Sequence, residues 1–102
     1  MISRERWQKE SLAFQMGNVG SELARAAARE KAVDRAGMER SLERALELLE
    51  LTLRDGRLKG RYREVARFHE LVAAWFSGRG GYHVIPEHLV DYCLSFASAA
   101  RR

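Results

Sequence analysis

Cysteine occurs once, at Cys93, so the chain can close no internal disulfide, and its stability has to come from packing. Proline also occurs once, at Pro86, which leaves the rest of the chain free of that helix breaker. β-branched residues are few and never alternate with polar ones over a useful length, which excludes a sheet as the main architecture. No stretch approaches the roughly 20 apolar residues that a membrane-spanning helix needs. The opening Met1–Arg6 is charged and no apolar run follows it, so no secretory signal is expected. These absences point to a cytoplasmic protein of bacterial type. The length, 102 residues, suits one domain over 1–102.

What is present is helical periodicity. Leu12, Met16, Val19, Leu23 and Ala26 follow a 4-3-4-3 spacing, which predicts a helix from Leu12 to Lys31 with Ser11 as its cap. Beside that stripe runs one of small residues, Gly17, Gly20, Ala24, Ala27 and Ala28, and then a polar one, Gln15, Asn18, Glu22, Arg25 and Arg29. A second helix is predicted from Arg35 to Arg54 behind the cap Asp34. Its stripe is Met38, Leu42, Ala45, Leu46, Leu49 and Leu53, while Leu48 and Leu51 point to the opposite side. A third helix spans Leu58 to Phe76 on Leu58, Tyr62, Val65, His69, Val72 and Phe76, broadened by Phe68, Leu71 and Trp75. The link Ser77–Tyr82 is glycine-rich but lacks the Gly-Lys-Ser/Thr ending of a phosphate loop, so it reads as a turn. Pro86 opens a fourth helix that buries Leu89, Tyr92, Cys93, Phe96 and Ala100. Short links favour antiparallel neighbours. The expected fold is an all-α, single four-helix bundle with a short N-terminal segment, carrying Ile2 and Trp7, docked on it.

Charge is uneven. Between Arg54 and Arg67 lie Arg54, Arg57, Lys59, Arg61, Arg63 and Arg67 against only Asp55 and Glu64, and this stretch holds the whole net charge of +4. Such a basic patch is a candidate nucleic-acid-binding surface; its bland counterpart is a solubilising face. The run Glu43, Glu47 and Glu50 reads as a solvated face pairing with Arg40, Arg44 and Arg54. His83, His88 and Cys93 are five apart, which does not suit ligation from a helix, and no Glu-x-x-His occurs. No metal and no cofactor are expected.

Two glycines inside the first helix cost about 1 kcal/mol each relative to alanine, which calls for the close approach of another backbone. Gly17, Gly20, Ala24 and Ala28, with Leu48 and Leu51, therefore form a candidate interface for a homo-oligomer, a two-fold dimer first. The competing explanation is internal: the small stripe seats another helix of the same chain.

The stretches Gln15–Ala26 and Glu43–Thr52, extended by Arg63-Glu64-Val65 and Tyr92–Ala97, resemble a group of small, uncharacterised bacterial all-helical proteins. That resemblance implies one helical family along the chain and no catalytic residue, and it draws attention to Asn18, Glu22, Arg25 and Glu47, whose plain role is helix-to-helix hydrogen bonding. In spacing, Arg63 and His69 resemble the arginine-to-histidine pair of the HEPN ribonucleases, also small helical bundles. This implies metal-independent RNA cleavage by that pair. Six positions along a helix separate two side chains by about 120°, so their convergence requires the reach of Arg63 or a second subunit. Glu64 departs from the small polar residue or histidine common there in that family. The leading expectation is a non-enzymatic helical-bundle protein that self-associates and binds another macromolecule, nucleic acid or protein. The alternative is the ribonuclease using Arg63 and His69.

Overall fold

The computed structural model describes residues 3–78 and 84–100. The expected docking of Ile2, the glycine-rich link at 79–82, His83 and the side chain of Ala100 fall outside the described residues. Helix covers 88% of the described residues, and no strand occurs among them. A short α1 (Arg4–Lys9) precedes four longer helices: α2 (Leu12–Lys31), α3 (Arg35–Leu53), α4 (Tyr62–Ser77) and α5 (Pro86–Ala100).

The helix starts follow local chemistry. The Ser11 hydroxyl accepts from the Phe14 amide at 3.0 Å, and a carboxyl oxygen of Asp34 accepts from the Gly37 amide at 2.9 Å. Both caps satisfy amides that the first turn leaves without partners. α2 ends in a Schellman turn: the Val33 amide donates to Glu30 and the Asp34 amide to Arg29. The geometry puts Val33 at φ 57°, a region that glycine enters easily and a β-branched residue does not.

Helix α2 is central, packing along both α3 and α5. Cross-helix pairs set the directions. Glu22 meets Arg44 and Gln15 meets Asp55, so α2 and α3 run antiparallel. Gly20 faces Cys93 and Lys31 reaches Glu87, so α2 and α5 do as well. Arg61, just before α4, covers Phe96, and Phe68 stacks on Tyr92, which makes α4 and α5 antiparallel. One core joins Met16, Val19 and Leu23 of α2 to Leu42 and Leu49 of α3, Val65, Phe68 and Val72 of α4, and Leu89, Cys93 and Phe96 of α5. Among the described residues, no helix is long and apolar enough to cross a membrane.

Three expectations are corrected. The third helix starts at Tyr62, not Leu58; a 3-10 turn over Gly56–Arg61 precedes it. Lys59, at φ 41° and ψ −111°, breaks the helical path, and Leu58 is buried from the turn. Tyr62 lies outside the core, half-exposed, while the preceding Arg61 covers Phe96. Within the polar stripe of α2, Gln15 and Glu22, seven residues apart and thus on one line, are buried towards α3. Arg44 accordingly turns to Glu22 of α2, not to the acidic residues of its own helix.

Candidate functional site

The α3–α4 corner carries the basic stretch and divides it into two kinds of cation. Arg57 is structural. Its guanidinium donates to both carboxyl oxygens of Asp55, at 2.6–3.1 Å, and to the backbone carbonyls of Gln8 and Glu10 at 3.1 and 2.7 Å. Asp55 is buried, and its carboxyl also accepts from the Arg57 amide and from the Gln15 amide group. Chiefly through the Arg57 hydrogen bonds, against the opposing effect of burial, the Asp55 carboxyl is held at a pKa of about 2. The same cluster fixes the N-terminal segment. Gln15 donates to the Trp7 carbonyl, and the Trp7 indole donates to the Thr52 hydroxyl, both at 2.9 Å.

Arg61 is structural too. It pairs with Glu64 at 2.9 Å, and its guanidinium lies 3.8 Å over the Phe96 ring. The Tyr92 hydroxyl donates to Glu64 at 2.5 Å. Glu64 is lowered below the usual carboxylate range by Arg61 first and Tyr92 second, while burial, then Glu64, raises the Tyr92 phenol.

The other four cations are different. Arg54, Lys59, Arg63 and Arg67 are exposed, and none forms an ion pair among the described residues. The two acidic residues of the stretch are taken up by Arg57 and Arg61, so these four carry an excess equal to the chain's net charge of +4. Arg63 and Arg67 are one turn apart on α4, so their side chains share a face. Lys59 occupies the strained position although Gly56 and Gly60 flank it. Holding a side chain there costs on the order of 1–3 kcal/mol. A glycine would avoid most of that cost.

The remaining candidates fall elsewhere. His69 is half-buried on α4, and its Nε2 is buried without a hydrogen-bond partner, whereas Arg63 is exposed. Cys93 is buried, and burial pushes its thiol up to about 12, which keeps it protonated and unreactive. Among the described residues no group of three histidine, cysteine or acidic side chains could hold a metal.

The small stripe splits. Gly20 is buried against α5 of the same chain, where an added Cβ would come within 2.9 Å of the Cys93 Cβ. At Gly17 a Cβ would meet nothing within 4 Å, and Ala24 and Ala28 are exposed. Leu51 is buried and Leu48 half-buried against the core. Leu48 lies one turn from both Arg44, which reaches α2, and Thr52, which meets α1. The second apolar side of α3 is therefore the side on which its own chain packs.

Sequence reasoning gave Glu22 a helix-to-helix hydrogen bond, and the contact with Arg44 bears that out, but it did not name the partner. This carboxylate, 6% exposed, lies between Arg25 of its own helix and Arg44 of α3. The available signal was the seven-residue repeat of polar residues, Gln15 and Glu22, beside an apolar stripe. Comparison with protein-family models, curated proteins and solved structures finds no match to this chain.

Proposed function

We propose that this chain is a non-enzymatic, cytoplasmic helical-bundle protein that binds nucleic acid by its phosphate backbone, through Arg54, Lys59, Arg63 and Arg67. The observation that carries the reading is the partition of the basic stretch. Two cations are consumed by the fold, and the other four of this stretch are exposed and form no ion pair among the described residues. Phosphate contacts of this kind release condensed counterions, so affinity falls with salt in proportion to the number of contacts. The test is fluorescence anisotropy with a labelled duplex and a labelled single strand across a salt series. Contacts from all four cations give a log–log slope of about −3.6 on a duplex or −2.8 on a single strand. Arg63→Gln with Arg67→Gln halves that slope without loss of helicity. Absence of binding to either ligand at low salt refutes the reading.

Self-association is the second part of the proposal, and Gly17 favours it. This half-exposed glycine weakens its helix by about 1 kcal/mol relative to alanine, yet among the described residues nothing lies within 4 Å of a Cβ built there. A second copy seated there accounts for it. Light scattering on the wild type and Gly17→Leu decides: the proposal expects a dimer that the substitution dissociates with helicity intact, and a monomeric wild type removes this part. The alternative of a HEPN-type ribonuclease using Arg63 and His69 draws no support from a buried, unpartnered Nε2. It stands only if the protein cleaves RNA in EDTA and His69→Ala abolishes the cleavage.

A further inference from the structure

We infer that the basic corner takes single-stranded nucleic acid, with Tyr62 as the platform on which an unpaired base stacks. The inference rests on the phosphate-binding reading above and names its ligand class.

The chain's two described tyrosines near this corner have opposite surroundings. Tyr92 stacks on Phe68 with ring centroids 4.6 Å apart and donates to Glu64, so both its face and its hydroxyl are occupied. Tyr62 is 50% exposed, and among the described residues its ring has no aromatic neighbour and its hydroxyl no hydrogen bond. Exposing a large aromatic surface is unfavourable, and Tyr62 is not among the residues of the core.

Position supplies the rest. Tyr62 is the first residue of α4, three residues after Lys59 and adjacent to Arg63. The residue one turn further along its own face is Ala66, whose side chain is a single methyl group. An aromatic face set among unpaired cations is the arrangement that holds single strands: cations follow the backbone while bases stack on the ring. A duplex keeps its bases stacked on each other and offers the ring no free face, whereas single strands and loops do.

The test uses the full chain, a labelled uridine oligonucleotide, and a labelled duplex of equal phosphate number, at low salt. Tyr62→Ala is expected to weaken binding to the oligonucleotide by roughly 5- to 100-fold, the range for loss of one stacked base, and to leave duplex binding nearly unchanged. Tyr62→Phe keeps the π face and should retain wild-type affinity. Circular dichroism checks that both variants remain helical. Equal weakening on both ligands, or none on the oligonucleotide, overturns the inference. Binding of the duplex without the single strand also overturns it, while leaving the phosphate-binding reading intact. Binding of neither ligand removes both.

Discussion

The two corners of the bundle solve the same problem with different materials. At each, an aspartate caps the next helical turn, Asp34 for α3 and Asp55 for the 3-10 turn, and at each a non-glycine residue sits at positive φ, Val33 and Lys59. The α2–α3 corner is short. Its strained residue is apolar and 89% exposed, and its aspartate is only loosely paired, with Arg29 at 3.5 Å. The α3–α4 corner is longer, its aspartate is buried under an arginine, and the stretch through it carries four exposed cations that form no ion pair among the described residues. One corner turns the chain. The other turns it, holds the N-terminal segment and presents charge.

The largest effect expected from this contrast is at Asp55. Asp55→Ala removes the partner of Arg57 and of Gln15 together, and breaking such a pair costs about 3 kcal/mol. Urea unfolding measures it. The acid limb of stability has the same origin. The Asp55 carboxyl is held at about 2, below its ordinary 3.8, so its contribution is fully present above about pH 5 and is lost as pH falls towards 2. Linkage puts that contribution at roughly 2 kcal/mol. Asp55→Asn should flatten the decline between pH 5 and pH 2. At the other corner, Asp34→Ala loses a cap and costs only about 1 kcal/mol. Equal costs at the two aspartates would erase the distinction.

Smaller still is the relief of strain at Val33. Val33→Gly should stabilise the fold by up to about 1 kcal/mol, the left-handed penalty less the entropy that glycine loses on folding. Its affinity for oligonucleotides should stay at the wild-type value, because this corner carries no part of the proposed surface.

These differences explain what the sequence alone could tell. The bounds of α2 and the caps Ser11 and Asp34 are legible because a cap is a contact between residues three apart. The start of α4 is not. The break at Lys59 depends on a backbone angle that glycine neighbours suggest but do not locate. The composition of the basic stretch is plain from its residues, yet its division into structural and free cations is not. Arg57 is held by carbonyls of Gln8 and Glu10, far away in the chain, and Arg61 by the ring of Phe96 on the last helix. That Gln15 and Glu22 are buried is not legible, because it depends on which helix lies beside them. Gly20 could not be told from Gly17 until the position of Cys93 was known.

The central claim is that the α3–α4 corner holds a strained lysine in order to present its charge. Lys59→Gly tests it most directly, with stability and oligonucleotide affinity measured on the same preparation and Val33→Gly as the parallel case. The account predicts that Lys59→Gly raises stability by up to about 1 kcal/mol while affinity falls and the log–log salt slope on a single strand shrinks by about 0.7. A more stable protein with undiminished affinity, matching Val33→Gly, would contradict it.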